Sequence, residues 1–157
     1  MRSLKHLIPE FEHLKKRLPP GHDATLLVPC LRRIQEDRGF IADSDIDGLV
    51  EYLGVPRIQI EEVLSFYGML RREPIGRWHL QVCHNVSCSM RGAERLLDHL
   101  TGKLGIQPGE TTPDRRFTLS TVECLGSCGT APVVMVNEAY HENLSAADLD
   151  ALLERLD

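Results

Sequence analysis

Two pairs of cysteines constrain the fold of this chain more than any other feature of its sequence. Four residues separate Cys83 from Cys88, three separate Cys124 from Cys128, and 35 residues lie between the pairs. Four thiolates in two pairs fit a tetrahedral zinc site, a 2Fe-2S cluster or two disulfides. The wide spacing within each pair favours two iron atoms over the tighter turns that commonly hold one zinc ion, although spacing alone leaves the alternatives open.

The second pair lies in a glycine-rich stretch, VECLGSCGTAPVVMVN, residues 122–137. Gly126 and Gly129 place no side chain beside the thiolates, so backbone N–H groups can turn toward sulfur, and glycine accepts a positive φ. A helix predicted to begin near Ser89 would aim its free N–H groups at the loop holding Cys88. Both features favour an anionic centre, whereas a simple tight turn would explain the glycines without one.

Composition and charge limit the classes of partner. The 157 residues can form one ordinary domain or two small ones, and 18 basic against 23 acidic residues give a net charge of −5 without a basic stripe. This balance disfavours nucleic acid and acidic membranes as partners. Charges interrupt the apolar residues of the first 18 positions, so we expect neither a signal peptide nor a membrane span there. The chain is expected to be cytoplasmic, where reduced cysteines bind metals or carry out redox chemistry.

The first half, residues 1–75, is predicted to be a bundle of four short helices, because apolar residues recur there at steps of three and four. The second helix covers residues 23–38, and Pro29 marks either a kink or a later start. The third ends at Gly54, and Pro56 suits the first turn of the fourth. A helix pair with a tight turn also resembles a DNA-binding motif, but no basic recognition face supports that function.

The second half, residues 76–157, alternates in the manner of strands. RWHLQVC predicts a strand ending at Cys83, and FTLSTVEC predicts one ending at Cys124. PVVMVN and AYHEN predict two more, the last being an edge strand. A single helix with an apolar stripe is expected from Met90 to Leu104, capped by Ser87 or Ser89, and a closing helix follows a capping box at Ser145 and Asp148. These elements predict an α/β layer with both cysteine pairs at one edge of the sheet.

Three segments resemble a known family: VCHNVSC, GETTPDRRFTL and VECLGSCGTAPVVMVN. They are similar to the small iron-sulfur subunit of the NADH-dehydrogenase module of respiratory complex I, a thioredoxin-like 2Fe-2S ferredoxin family. LRRIQEDRGFI and VEYLGVPRIQIEEVLSFYGML extend the resemblance into the first half. The resemblance implies an α+β fold, with a four-helix region followed by a thioredoxin-like 2Fe-2S ferredoxin domain. It also implies that Cys83 and Cys88 bind one iron and that Cys124 and Cys128 bind the other.

The resemblance further implies exchange of one electron with the FMN of an adjacent NADH-binding flavoprotein subunit. This chain contains no G-x-G-x-x-G or Walker sequence, so FMN and NADH are expected only on the partner, and no residue of this chain is expected to be catalytic. The implied location is the cytoplasmic peripheral arm of a membrane-associated complex, without insertion into the membrane. Related subunits of NAD-reducing hydrogenases and NAD-dependent formate dehydrogenases are the alternatives.

Two rival functions make different demands on the cysteines. A thioredoxin-type thiol enzyme needs C-x-x-C at a helix start, which neither pair provides. A zinc-stabilised interaction module would use the same four thiols without redox chemistry. The fifth cysteine, Cys30, is expected to be a buried core residue, and His84 is expected to be a loop side chain and not a ligand.

Several single residues carry further expectations. Arg115 stands where the family commonly has glycine, so its turn is expected to do without an easy positive φ. Pro132 is predicted to follow a cis peptide bond, and Trp78 is predicted to be buried. Phe66 and Tyr67 are expected to pack against the second domain or a partner.

Overall fold

The chain divides after Pro74 into two units, the second beginning at Ile75. The structure is a computed structural model that describes residues 4–156. The outermost positions of the two predicted domains, residues 1–3 and 157, lie outside the described residues. No helix in the described range is long and apolar enough to cross a membrane.

Four α-helices form the first unit. They are α1 (Ile8–Lys15), α2 (Leu27–Arg38), α3 (Asp43–Leu53) and α4 (Arg57–Phe66), with short 3-10 turns at Leu4–His6 and Asp23–Leu26. Pro29 lies in the first turn of α2, where its missing N–H costs nothing, so the later start is the correct alternative. Gly39 and Gly54 end α2 and α3 in the left-handed conformation.

The apolar faces of these helices close over one core. Its fully buried members include Phe11, Leu31, Ile34, Ile46, Leu49 and Ile60. Cys30 belongs to the same core, as predicted, and burial raises the pKa of its thiol to about 12. Phe66 is 81% exposed and meets the ring of Tyr67 edge to face. Its packing against another domain or partner therefore stays a prediction.

A four-stranded sheet forms the centre of the second unit. Its strands are β1 (Trp78–Cys83), β2 (Phe117–Val122), β3 (Val133–Val136) and β4 (Ala139–Glu142), in the order β2-β1-β3-β4. β1 is parallel to β2 and antiparallel to β3, and β4 pairs antiparallel with β3. Tyr140 and His141 thus lie on an edge strand, as predicted.

Three helices complete the second unit: α5 (Val86–Met90), α6 (Ala93–Leu104) and α7 (Ala146–Arg155). Leu100 and Leu149 pack with Leu80 of the sheet in one buried core. The capping box of α7 is confirmed, since the amide of Asp148 donates to Ser145 Oγ at 3.2 Å and the amide of Ser145 donates to Asp148 Oδ2 at 3.0 Å. The fold class is thus the expected one.

The single helix predicted from Met90 to Leu104 is wrong. Gly92, with a φ of 96°, turns the chain between α5 and α6, and Met90 is left 83% exposed and outside the apolar stripe. Neither Ser87 nor Ser89 caps a helix, because Asn85 precedes α5 and accepts a hydrogen bond from the amide of Val86. The left-handed glycine breaks an apolar pattern that continues through it in sequence.

Three further details concern the strands and turns. β2 ends at Val122 and not at Cys124, and Trp78 is half-buried because it begins its strand. Arg115 adopts a φ of 58° despite its side chain, in a turn closed by its amide on Thr112 O at 2.8 Å. The peptide bond before Pro132 is cis, as predicted.

Candidate metal centre

The sheet brings the starts of both cysteine segments to one edge. Cys83 is the last residue of β1 and stands opposite Val122, the last residue of the parallel strand β2. The amide of His84 continues the ladder by donating to Val122 O at 3.2 Å. Cys124 follows two residues later, so the chain leaves both strands toward the same edge with a cysteine at or just beyond each end.

The first pair of cysteines is buried. Cys83 is 3% exposed and Cys88 2%, and the Cys83 thiol is close enough to Cys88 to raise its pKa. Cys88 lies inside α5, not in the loop predicted for it. Burial first, and then the neighbouring Cys83 thiol, raise the pKa of Cys88, while the backbone of Val133 opposes the shift. Metal binding by this thiol would therefore release a proton.

The second pair faces solvent. Cys124 and Cys128 are both exposed, and Cys128 begins a 3-10 turn, Cys128–Thr130. Gly126 has a φ of 75°, and its amide donates to Cys124 Sγ at 3.3 Å. The predicted inward N–H group is thus confirmed at Gly126, whereas Gly129 is not among the residues with a positive φ.

Asn85 links the two cysteine segments. Its Oδ1 accepts from the amide of Val86, and its Nδ2 donates to Glu123 O at 2.8 Å, next to Cys124. His84 Nε2 lies 3.4 Å from Glu123 Oε1, a second contact between the same segments. The sequence pattern alone assigns no role to Asn85, although asparagine is a preferred N-cap residue and α5 begins directly after it.

The helix predicted to begin near Ser89 and to direct its N–H groups at the Cys88 loop is not present in that form. α5 has five residues and carries Cys88 within it, and the longer α6 begins only at Ala93. A hydrogen bond to sulfur comes instead from the backbone amide of Gly126 in the loop, while the backbone of Val133 in β3 acts to lower the pKa of Cys88.

Thiolate ligands with a backbone amide bonded to sulfur are typical of an iron-sulfur cluster, and the four thiols fit it in this respect. The four sulfur atoms do not, however, all surround one common position. Within residues 4–156, no group of three or more His, Cys, Asp or Glu side chains is close enough to hold a metal ion. Cys83 and Cys88 meet, and Cys128 is near enough to act electrostatically on Cys88. Soft thiolates with N–H donors suit iron-sulfur chemistry.

Comparison with protein families shows to which family the chain belongs. A family model described as thioredoxin-like [2Fe-2S] ferredoxin matches residues 11–157. The chain belongs to the thioredoxin-like [2Fe-2S] ferredoxin family. The match spans the helical unit from Phe11 onward as well as both cysteine segments of this ferredoxin, so family membership is not confined to the sheet.

Relatives of this ferredoxin cover most of its length. An NADH-quinone oxidoreductase subunit of Rhizobium meliloti (strain 1021) is 49% identical over 145 residues, which are 92% of this chain and 85% of that protein. An NADH-quinone oxidoreductase subunit of Thermus thermophilus is 45% identical over 141 residues, which are 89% of this chain and 78% of that protein.

A solved structure is also similar to this ferredoxin. An NAD+-reducing [NiFe]-hydrogenase in its air-oxidized state superimposes with a TM-score of 0.73 at 26% identity. The match covers 83% of this chain but only 22% of the hydrogenase chain. The hydrogenase chain therefore contains a large part that has no counterpart in this chain.

Proposed function

We propose that this chain is the 2Fe-2S electron-transfer subunit of an NADH:quinone oxidoreductase, with Cys83 and Cys88 on one iron and Cys124 and Cys128 on the other. The observation that carries the proposal is the position of the two pairs at the ends of neighbouring parallel strands in a member of this ferredoxin family. When bound, a 2Fe-2S cluster takes up and gives one electron.

The residues of this chain contribute to binding in three ways. Cys83 and Cys88 supply buried thiols from the sheet edge and α5. The amide of Gly126 donates to the Cys124 sulfur and the backbone of Val133 acts to lower the pKa of Cys88, and both favour negative charge on sulfur. Asn85 ties the two ligand-bearing segments together. None of these groups breaks or forms a bond in a substrate, in keeping with the role of a carrier.

The proposed partner is an NADH-binding flavoprotein subunit of the same complex, whose FMN exchanges an electron with this chain. Support comes from the NADH-quinone oxidoreductase subunits at 49% and 45% identity and from the lack of a nucleotide-binding motif in the sequence. FMN and NADH then belong to the partner. The proposed place is the peripheral arm of a membrane-associated complex on the cytoplasmic side.

A second candidate is the equivalent subunit of an NAD-dependent hydrogenase or formate dehydrogenase. The similarity to the NAD+-reducing hydrogenase favours it, with a TM-score of 0.73. Sequence identity there is 26%, against 49% for the Rhizobium oxidoreductase subunit, so we prefer the oxidoreductase. Co-purification from the native cell separates the two, since one requires a flavoprotein with quinone-linked subunits and the other a nickel or formate-oxidising subunit.

Metal analysis of anaerobically purified protein tests the cofactor. We expect reddish-brown protein with about two irons and two labile sulfides per chain and a rhombic EPR signal on reduction. Colourless protein carrying one zinc would instead support the interaction module. Adding the flavoprotein partner and NADH should then reduce the cluster, whereas NADH alone should not.

Replacement of one proposed ligand tests the site. Cys124→Ser should lose or distort the cluster, because it removes one of two thiolates from an iron. Cys30→Ala is the matched control, since Cys30 lies in the core of the other unit and should leave the iron content unchanged. Equal iron content and identical spectra in Cys124→Ser and the parent chain would refute the assignment.

We also propose that residues 1–75 and 76–157 are separate domains. Each unit has its own buried cluster of apolar side chains. The far-ultraviolet helix signal of Cys124→Ser should therefore retain the contribution of the first domain even if the second is loosened.

A further inference from the structure

A carboxylate on β4 holds the loop that carries Cys128. Thr130 Oγ1 donates to Glu142 Oε1 at 2.7 Å, and Ser127 Oγ donates to the same oxygen. The two hydroxyls lie 2.8 Å from each other. They come from residues on either side of Cys128, so one acidic side chain is bound to the segment before and after a proposed ligand.

Few other contacts restrain the loop that carries Cys128. Gly126 and Gly129 give it a flexible backbone, and its regular structure is the single 3-10 turn Cys128–Thr130. Leu125 packs against the core before the turn, and the amide of Asn143 donates to Thr130 O at 2.8 Å after it. Between these anchors, the Ser127 and Thr130 hydroxyls bond to each other, Thr130 Oγ1 also lies 3.1 Å from Ser127 O, and Glu142 is the acceptor that ties both hydroxyls to β4.

We propose that Glu142 is a positioning residue for the Cys128 half of the cluster site, acting through Ser127 and Thr130; this rests on the proposed function. Glu142 fixes the loop so that the Cys128 sulfur keeps one position relative to the buried pair. Its negative charge is bonded to hydroxyls on both sides of Cys128, a proposed iron ligand. A nearby negative charge disfavours the reduced cluster, which carries one more electron.

Two substitutions separate position from charge. Glu142→Gln keeps a carbonyl oxygen that can accept from the hydroxyls but removes the charge, whereas Glu142→Ala removes both. Glu138→Gln is the matched control, because Glu138 is an exposed acid in the turn between β3 and β4 of the same hairpin. All variants are made in the full chain and loaded with iron and sulfide.

The measurements are the midpoint potential from an EPR-monitored titration, the g values, and the rate of cluster loss to a chelator. Glu142→Gln should shift the potential upward with unchanged g values. Glu142→Ala should also change the g values and lose the cluster at least threefold faster than the parent chain. Glu138→Gln should match the parent chain in all three. An upward shift of equal size in Glu138→Gln, or a Glu142→Ala that matches the parent chain, overturns the inference.

A substitution in the loop that carries Cys128 provides an independent check of the role of Glu142. Thr130→Val removes one hydroxyl that reaches Glu142 and also its bonds to Ser127. If the two residues act together, the double variant with Glu142→Ala should lose the cluster more slowly than the product of the two single effects predicts. Losses that multiply in the double variant would overturn the link between the two residues. If Glu142→Ala fails to fold, the variant with both Ser127→Ala and Thr130→Val takes its place, because it removes the two hydroxyls that reach Glu142. A rate of cluster loss equal to that of the parent chain would then overturn the inference.

Metal-free chain distinguishes this inference from the proposed function. Amides 126–130 should exchange with solvent at least threefold faster in metal-free Glu142→Ala than in the metal-free parent, and equal rates would overturn the positioning role. A parent chain that takes up no iron and sulfide would overturn the proposed function and the cluster-dependent part of this inference together. A loaded parent whose Glu142→Ala variant is indistinguishable overturns the inference alone.

Discussion

Arg115 holds a backbone conformation that favours glycine, with a φ of 58° in the turn before β2. Neighbouring groups enforce it, since Asp114 Oδ1 accepts from the amide of Arg116 at 3.0 Å and from Thr112 Oγ1 at 2.6 Å. These hydrogen bonds hold the pKa of Asp114 below its usual range. The turn therefore keeps its shape through the Asp114 side-chain acceptor, although a non-glycine residue occupies the left-handed position.

We expect Arg115→Gly to stabilise the chain by about 0.5–1 kcal/mol, because relief of left-handed strain exceeds the added entropy of the unfolded chain. Urea denaturation of the two proteins measures the difference. Arg116→Gly is the control, since Arg116 has no positive φ and glycine there should lower stability. A loss of stability in Arg115→Gly would show that the arginine side chain outweighs the strain.

Asp45 is a second residue whose surroundings determine how much it contributes to stability. It is fully buried and forms an ion pair with Arg38 at 2.6 Å, and it accepts from the amide of Ala42 at 2.9 Å. Removing the charge from one partner of a buried ion pair is strongly destabilising, because the desolvated partner loses its favourable charge interaction. Asp45→Asn should therefore cost about 3 kcal/mol of unfolding free energy, measured by urea denaturation.

Asp43 is the matched control for this pair. It contacts Arg57 and Arg72, but its side chain is 72% exposed, so water screens both interactions. Asp43→Asn should lose much less stability than Asp45→Asn. Equal losses in the two variants would contradict the argument from burial.

At the scale of elements, local sequence patterns predicted the structure well at the starts and ends of helices. The cap of α7 at Ser145 and the end of α3 at Gly54 follow from residue type alone. The break at Gly92 could not be predicted, because apolar residues continue at helical spacing on both sides of it and only the packed unit selects the turn. Likewise, Glu142 and Asn85 act across the fold, through partners 15 and 38 residues away in sequence.

The cap of α7 provides a prediction for this scale. Hydrogen bonds from the Ser145 hydroxyl and then its amide lower the pKa of Asp148. A lowered pKa in the folded state adds stability above the ordinary carboxyl pKa of about 4, and this stability is lost as pH falls through the lowered value. The stability difference between the chain and Asp148→Asn should be full at pH 7 and shrink on acidification.

Urea denaturation from pH 7 down to about pH 3 measures that difference. Glu154→Gln is the control, because Glu154 is an exposed acid on the same helix that takes no part in the cap. Its effect should not follow the pH profile of Asp148→Asn. A difference that stays constant with pH would show that the cap does not depend on the charge of Asp148.

At the scale of the whole molecule, two units with separate cores should respond separately to changes made in each. The only tryptophan of the sequence, Trp78, begins β1 and reports on the second unit, whereas far-ultraviolet circular dichroism reports on the helices of both. With the proposed ligands, bound iron would link α5 to the loop after β2, and removing it would take away these bonds. Iron removal should therefore lower the midpoint of the unfolding transition followed by Trp78 fluorescence. The transition of the first unit's helices, followed by circular dichroism, should stay unchanged.

Asp45→Asn should do the reverse, lowering the helical transition while the tryptophan transition of the iron-loaded chain stays in place. The reason is that Asp45 and Arg38 both lie in the first unit, outside the core that contains Cys83 and Cys88. Thermal unfolding followed by both signals in the same sample measures this pair of effects. Transitions that move together in both experiments would mean that the units unfold as one cooperative body and that the boundary near residue 75 separates no independent domains.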